Sequence, residues 1–358
     1  YTLFESSAAS DVYKRQSLLR QTVRKKRQNR MNLASVHSRF RNCCLILLIA
    51  SLIISCDQNE GVNPTKPIRF ALQNRIGSAI PIVALEKGFF KQQALVIKPL
   101  RFSSGPACAE ALYSGSADIG TMGDTTAIFA TVQHANLKIF ASHSTGEHRH
   151  RLIVQNTSVY RTLGDLRGKR IGIKKGTSTH GGFLAALAIG NIPRTAITVV
   201  DLNPNTMPTA LMAGSIDAFA ASEPTPSLAE LKGGRELITF GGLDNQYPIM
   251  MLAHAPFLKN REKDLLRFVE ALRSAEEFIR ENPDETVRIL GDTTGLPSEV
   301  TRRAMKRHSY RLSLDETILS SLRETAQFLK AQNKIKQLPD LSMAVTQRFL
   351  KRQTKLEN

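Results

Sequence analysis

From Pro67 onward, hydrophobic positions follow two alternating periodicities. Short apolar runs typical of strands are separated by stretches in which apolar residues recur every three to four positions, as in helices. From Arg261 the helical spacing continues with few interruptions, and Leu265, Val269 and Leu272 share one face. This alternation predicts α/β units with open, mostly parallel sheets, followed by additional C-terminal helices. The predicted strands are Ile68–Leu72, Leu95–Ile97, Ala117–Met122, Leu137–Ala141, Leu152–Val154, Arg170–Ile173, Val199–Leu202 and Asp217–Ala220.

The loops that follow the predicted strands are rich in glycine and hydroxyl residues. Ligands of open α/β sheets bind at the carboxyl ends of the strands, where these loops lie. A helix start offers unpaired N–H groups, so several helix starts that converge on one crevice would bind an oxyanion. The loops concerned are Gln73–Ser78, Ser103–Gly105, Gly123–Thr126, Gly176–His180 and Ser222–Pro224.

The turn Gly172–Phe183 (GIKKGTSTHGGF) shows this arrangement most clearly. Gly176 can adopt backbone angles that other residues avoid, and Thr177 or Ser178 suits the N-cap of the following helix. The spacing of its glycines resembles a phosphate-binding loop, but the lysine and hydroxyl residue that such a loop requires are replaced by Gly182 and Phe183. The residues alone leave two interpretations open, an anion-binding turn and an ordinary polar turn.

Composition places the chain among globular proteins. Its 358 residues suffice for two domains, and it is 42% hydrophobic and 22% charged. The formal net charge is +18, but the positive residues form no aromatic-rich stripe and match no nucleic-acid-binding motif. We therefore expect no nucleic-acid partner. A diffuse positive charge suits a small anionic ligand or an anionic membrane surface.

The front of the chain is interpreted as a series of segments outside the fold. Residues 1–30 are assigned to an artefact, because Asp11–Gln16 (DVYKRQ) resembles the translated end of a transposon used in sequencing libraries and Met31 is the first methionine. Residues 31–55 then form a signal peptide with a short apolar core, Cys43–Ile54. Its end resembles the bacterial lipoprotein box, which implies lipidation of Cys56 and a polar tether over 56–66. A plain secretory signal or an anchor helix is the alternative.

Seven segments together carry a resemblance to a known family: Ala84–Phe90, Phe102–Gly105, Ala111–Gly123, Leu163–His180, Ala210–Ala218, Glu223–Pro224 and Phe268–Pro283. As a set they resemble the substrate-binding proteins of nitrate/sulfonate/taurine-type ABC importers. The resemblance implies a two-lobed periplasmic-binding-protein fold of type II, with lobe 1 from 67–149 and 249–358 and lobe 2 from 150–248. It also implies a monomer without cofactor or catalysis that delivers its ligand to a permease and ATPase. Asp57, directly after Cys56, indicates retention on the periplasmic side of the inner membrane.

The same resemblance implies that loops of both lobes hold the ligand. Glu223 would lie near the rim as a structural partner or a ligand contact. Ser222 stands where many relatives carry an aromatic residue, so the cleft is expected to be more polar or wider. Asp124 would either cap its helix or meet a cationic group of the ligand. The lobe 1 residues are Ser78, Ser103, Ser104, Asp124, Thr125 and Thr126, and the lobe 2 residues are Thr177, Ser178, Thr179, His180 and Glu223.

Two groups of residues could support other chemistry. His143, His148 and His150, with Glu147, could form a metal site, but a solvated hinge is the favoured interpretation. Cys108 could be the nucleophile of an enzyme of the same fold, as in desulfinases, while enzymes of thiamine-pyrimidine synthesis are a further alternative. A buried structural role for Cys108 is favoured because no base is evident near it in the sequence.

Overall fold

The computed structural model describes residues 66–243 and 245–351. The predicted artefact, the signal peptide, Cys56 and nearly all of the tether lie outside these residues. Ten strands form two sheets, together with five short 3₁₀ turns in this part of the chain. The strands are β1 (Ile68–Gln73), β2 (Ile97–Phe102), β3 (Ile119–Gly123), β4 (Leu137–Ser144), β5 (His150–Gln155), β6 (Arg170–Ile173), β7 (Thr198–Asp201), β8 (Ala218–Ser222), β9 (Gly234–Thr239) and β10 (Ile249–His254).

Thirteen α-helices of the described residues flank the sheets, and six of them follow the last strand. The predicted extra C-terminal helices are thereby confirmed. The helices are α1 (Ala79–Glu86), α2 (Phe89–Gln92), α3 (Gly105–Tyr113), α4 (Asp124–Gln133), α5 (Ser178–Ile189), α6 (Met207–Met212), α7 (Thr225–Glu230), α8 (Ala255–Asn260), α9 (Glu262–Glu281), α10 (Pro283–Thr294), α11 (Ser298–Met305), α12 (Glu316–Ala331) and α13 (Leu341–Ala344).

The two sheets have the same design. The first has the strand order β2-β1-β3-β10-β4 and the second β7-β6-β8-β5-β9. In the first sheet β10 runs antiparallel to both of its neighbours, and in the second sheet β5 does the same. The other four strands of each sheet therefore share one direction, as the predicted mostly parallel sheets require. We call the two halves lobe 1 and lobe 2. The chain passes from lobe 1 to lobe 2 through residues 145–149 and returns through residues 240–248.

Each sheet is buried on both faces, which explains why its central strands are almost continuously apolar. Successive side chains of a strand point to opposite faces. In β10, Met251 packs into one hydrophobic cluster of lobe 1 while Met250 packs into the other. In β8, Ala220 and Phe219 divide in the same way between the two clusters of lobe 2. The core therefore consists of four clusters, two to a lobe.

The predicted strand Leu95–Ile97 is wrong in its bounds, because the strand is Ile97–Phe102. Lys98, Pro99 and Arg101 interrupt the apolar pattern there. They are tolerated because β2 lies at the edge of its sheet, where proline and charged residues cost little. Edge strands of this kind lack the apolar signal by which central strands are recognised.

Candidate functional site

The carboxyl ends of the parallel strands of both lobes meet at one junction, and polar groups cross it directly. The Thr126 hydroxyl donates to the Gly176 carbonyl at 2.8 Å. Asn203 donates from its side chain to the Ser103 hydroxyl at 3.0 Å. Arg75 donates to the Ser222 carbonyl at 2.8 Å. The lobes are therefore in contact on several sides of the cleft.

A small cavity lies within this junction. The space open to the centre of a water-sized sphere is about 40 Å³, whereas a single water needs roughly 10–15 Å³ by this measure. Both lobes supply its walls, which combine hydroxyl side chains and two cationic side chains with the apolar side chains of Pro204, Met207, Ala220 and Ala221. The lining residues are Gln73, Arg75, Ser103, Ser104, Gly105, Lys174, Thr177, Thr179, Pro204, Met207, Ala220, Ala221 and Ser222. Four of the predicted site residues are among them.

The turn after β6 forms the lobe 2 side of the cavity. Gly176 has a φ of 74°, in the region that favours glycine. Thr177 is the N-cap of α5, and its hydroxyl oxygen accepts from the N–H of His180 at 3.3 Å. The prediction that Thr177 or Ser178 caps this helix is thereby confirmed for Thr177. The cap holds Thr177 and Thr179 against the cavity.

The side chain of His180 stabilises this turn through a hydrogen bond to its backbone. Its Nδ1 accepts from the Gly176 N–H at 3.3 Å, which requires an unprotonated nitrogen. Burial, followed by the charges of Lys334 and Lys175, lowers the pKa of His180 to about 4. The ring is therefore neutral near pH 7, and its contact is with the protein's own backbone.

A second group of predicted residues makes direct contact between the lobes. Gly123 leaves so little space that a β-carbon there would lie 2.1 Å from the Ser178 hydroxyl oxygen. At Gly181 a β-carbon would lie 2.9 Å from the hydroxyl oxygen of Thr125. We call this packed region, formed by Gly123, Thr125, Thr126, Ser178 and Gly181, the sealed contact.

Asp124 is fully buried beside the sealed contact, and protein groups occupy its carboxylate. One oxygen accepts from the N–H of Thr125 at 2.7 Å. The other accepts from Asn245 at 2.9 Å and from Thr325 at 3.0 Å. The carboxylate thus stabilises the start of α4 and ties it to α12, and the structure gives no reason to expect a cationic ligand group there.

Glu223 is also fully buried, and its partner is Arg151. The two side chains pair at 2.8 Å. Arg151 additionally pairs with Glu230 at 2.6 Å and Glu236 at 2.8 Å. Of the two roles that the sequence left open for Glu223, the structure favours the structural one.

The histidines near the first crossover do not form the expected solvated hinge. His143 and His150 are buried, and only the His148 side chain is exposed. The solvated-hinge interpretation is therefore wrong for His143 and His150. His143 belongs to β4 and His150 begins β5, so both lie on strands rather than in the loop between them. No group of three or more His, Cys, Asp or Glu among residues 66–243 and 245–351 is arranged to hold a metal ion.

Arg75 is a candidate site residue that the sequence analysis did not single out. It lies in the loop after β1, where Ser78 was chosen instead. Its guanidinium lines the cavity although the residue is only 8% exposed. A cation in a post-strand loop was the signal that could have found it. Ser78 itself is buried, and its hydroxyl oxygen has no hydrogen-bond partner within the described residues.

Cys108 does not resemble a nucleophile. It lies in α3, is fully buried, and burial raises the pKa of its thiol. A thiol of raised pKa carries little thiolate at neutral pH, and thiolate is the reactive form. The favoured buried role is confirmed.

Comparison with known proteins assigns the class of this chain. A family model, NMT1/THI5 like, matches residues 76–286, so the chain belongs to the NMT1/THI5-like family. The alkanesulfonate-binding protein SsuA of Xanthomonas axonopodis pv. citri, solved with MOPS bound, superposes with a TM-score of 0.73 at 25% identity. The superposition covers 78% of this chain and 98% of that one. The two-lobed periplasmic-binding-protein fold is thereby confirmed.

Two curated relatives are named for binding sulfonates. One from Escherichia coli K12 is named for aliphatic sulfonates and is 29% identical over 56% of this chain, which corresponds to 63% of that protein, just under two thirds. The taurine-binding periplasmic protein of the same strain is 26% identical over 85% of this chain and 97% of its own length. The desulfurization enzyme DSZB also shares the fold, with a TM-score of 0.65 at 16% identity over 80% of this chain and 97% of that one.

Proposed function

We propose that this protein is the solute-binding component of an ABC importer and that it captures an aliphatic sulfonate, such as taurine, between its lobes. The observation that carries the proposal is the cavity in the lobe junction, to which both lobes contribute hydroxyl groups and Arg75 contributes a positive charge. Hydroxyl and guanidinium donors satisfy the oxygens of a sulfonate well. The names of the relatives support the same ligand class.

Closure of the lobes is the proposed mechanism of capture. An anion held by Arg75 and Ser104 on one side and by Thr177 and Thr179 on the other would link the two lobes, since each side supplies donors. Hinge closure around a ligand is common in binding proteins of two lobes. The closed form would then be the form that the permease recognises.

Thermal unfolding with a panel of anions tests the ligand class. Taurine, ethanesulfonate, nitrate, phosphate and acetate would be added to the purified protein one at a time. A ligand at 100 times its dissociation constant adds about 2.7 kcal/mol to the free energy of unfolding. We expect at least one sulfonate to raise Tm, with nitrate a weaker candidate. No change with any sulfonate would refute the ligand class.

Attachment to the membrane through lipid on Cys56 is part of the proposal. It rests on the lipobox-like end of the signal sequence. No helix in residues 66–243 and 245–351 is long and apolar enough to span a membrane. Fractionation of bacteria that produce the protein tests it. We expect the protein in the membrane fraction, and the Cys56→Ser variant released from it. Equal distribution of the two would contradict lipidation.

The rival function is an enzyme of the same fold, with Cys108 as the nucleophile. Its burial and raised pKa disfavour that role. The Cys108→Ala variant should bind sulfonates as the wild type does. A turnover of sulfinate or sulfonate that disappears in this variant would support the enzyme instead.

A further inference from the structure

Four buried side chains, from the loop after β1 and from residues 149–150, carry polar atoms without a partner, and one of them, Arg75, lines the cavity. These side chains are 1–8% exposed. Within the described residues, the atoms concerned have no hydrogen-bond partner: Arg75 Nε, Ser78 Oγ, Arg149 Nε and His150 Nε2. A buried polar group left unsatisfied costs about 1–3 kcal/mol, so a concentration of such groups indicates a site for a polar ligand.

The Arg75 guanidinium is fixed in position by the opposite lobe. One of its nitrogens, Nη2, donates to the carbonyls of Ser222 and Glu223 at 2.8 and 3.2 Å and to the Thr225 hydroxyl at 2.9 Å. Arg75 also lines the cavity. Because these contacts use Nη2 alone, the Nε donor is left for a guest. An anion at Nε would therefore bind to a group that is already oriented by lobe closure.

His150 adjoins the same cavity from lobe 2. It pairs with Ser222 across the strands β5 and β8, and its Nδ1 lies 2.6 Å from the Thr179 hydroxyl oxygen. Both Ser222 and Thr179 line the cavity. When the Thr179 hydroxyl donates to Nδ1, the proton of the neutral ring sits on Nε2. That nitrogen is then a buried donor without a partner among the described residues.

The surroundings of His150 are positively charged. Burial, followed by the charges of Arg149, His308 and Arg75, lowers the pKa of His150. The Tyr247 ring packs against it with centroids 4.5 Å apart. Positive charges around a neutral ring favour an anion between them rather than a cation.

Two buried carboxylates interact favourably with these cations, Glu223 with Arg75 and Asp124 with Arg149, but no hydrogen bond joins either carboxylate to its cation within the described residues. Glu223 pairs with Arg151, and Asp124 is bonded to Asn245 and Thr325. Within the described part of the chain, Arg75 donates only to carbonyls and a hydroxyl, and Arg149 donates to the Tyr247 carbonyl at 2.7 Å.

We propose that Arg75 Nε and His150 Nε2 hold the anionic head group of a sulfonate at the inner end of the cavity, and that these two side chains set the preference for an anion. The inference rests on the proposed function and assigns the head group to two side chains rather than to the helix starts alone.

Calorimetric titration with ethanesulfonate tests the role of Arg75. Loss of one partner from a buried charge pair costs about 30-fold or more in affinity, so Arg75→Met should weaken binding by at least that factor. Arg170→Met is the matched control, because Arg170 begins β6, is absent from the cavity lining and pairs with Asp217 at 3.2 Å. We expect the control to lie within about threefold of the wild type.

Since Arg75 also ties the lobes together, a neutral analogue separates its two roles. Ethyl methyl sulfone has a similar shape to ethanesulfonate and no charge. Arg75→Met should reduce the preference for ethanesulfonate over the sulfone at least about tenfold, because the ion–ligand bond is lost. Equal losses for both compounds would show that Arg75 only holds the lobes, and would overturn the assignment.

Calorimetric titration of the His150→Phe variant with ethanesulfonate tests His150. Phenylalanine keeps an aromatic ring against Tyr247 but removes the Nε2 donor, so binding should weaken about tenfold. Because a neutral ring donates without gaining a proton, the loss should be the same at pH 6 and at pH 8.

The outcomes distinguish this inference from the proposed function. Wild-type affinity for ethanesulfonate in His150→Phe would overturn the role of His150. Binding of ethanesulfonate by both variants with wild-type affinity would overturn the inference and leave the proposed function standing. Failure of the wild type to bind any sulfonate would refute the proposed function itself.

Discussion

Two groups of hydroxyl residues at the lobe junction look alike in the sequence and differ in the structure. Ser103, Ser104, Thr177 and Thr179 line the cavity. Thr125, Thr126 and Ser178 instead belong to the sealed contact, where Gly123 and Gly181 let the lobes approach closely. Glycine neighbours alone do not separate the two groups, since Gly105 and Gly176 flank cavity residues. The difference teaches that a junction closes where a glycine directly faces a hydroxyl of the opposite lobe, as Gly123 and Gly181 do.

The largest expected effect is on the free energy of unfolding, through the buried ion pair of Arg151 and Glu223. Arg151→Met should lower the free energy of unfolding by about 3–5 kcal/mol, because it leaves the buried Glu223 carboxylate without its 2.8 Å partner. Urea denaturation measures the loss. Arg170→Met, which removes an exposed pair with Asp217, is the control and should cost at most about 1 kcal/mol. Similar losses in the two variants would contradict a structural role for Glu223.

A larger side chain in the sealed contact tests whether the lobes must approach closely there for the ligand to bind. Gly181→Val should weaken ethanesulfonate binding at least about tenfold, or 1.4 kcal/mol, since the added carbons meet Thr125 and hold the lobes apart. Ala188→Val on the exposed face of the same helix controls for helix propensity. Calorimetry measures both. Unchanged affinity in Gly181→Val would show that the ligand does not need this closure.

Single hydroxyl deletions sharpen the comparison between the two groups. Ser104→Ala should reduce ethanesulfonate affinity by about tenfold and leave stability unchanged, because a donor to an anion is lost. Thr126→Val should lower the free energy of unfolding by about 1 kcal/mol, because its bond to Gly176 is lost. The opposite pattern, with Ser104 affecting stability and Thr126 leaving it unchanged, would reverse the assignment of the two groups.

Proton binding by His180 is expected to make stability depend on pH. Its folded-state pKa of about 4 lies below the ordinary value of 6.5, so the unfolded chain binds a proton more readily. The contribution of His180 is present above pH 6.5 and is lost as the pH falls toward 4. The free energy of unfolding, measured by denaturation at several pH values, should fall less between pH 6.5 and pH 4 in His180→Asn than in the wild type. Parallel pH profiles would contradict a neutral His180.

The sequence carried most of the fold but only part of the site. Central strands such as β1 and β6 were predicted closely, since both faces are buried and the apolar signal is strong. The edge strand β2 was not, because Pro99 and its charged neighbours weaken that signal. Thr177 was predicted as a helix cap because capping depends only on residues that are adjacent in the sequence.

The rest of the site depends on distant contacts that no short segment reveals. Asp124 is satisfied by Asn245 and Thr325, which follow more than a hundred residues later. His150 is buried only because β5 lies in the middle of its sheet, between β8 and β9. Arg75 became a candidate only when its nitrogen was found against the carbonyls of the opposite lobe.

The crystal structure of the complex with ethanesulfonate tests the central claim most directly. The account predicts the sulfonate oxygens between the lobes, within about 3.2 Å of donors from Arg75 and from Thr177 or Thr179. A sulfonate bound outside the lobe junction, or held by one lobe alone, would contradict it.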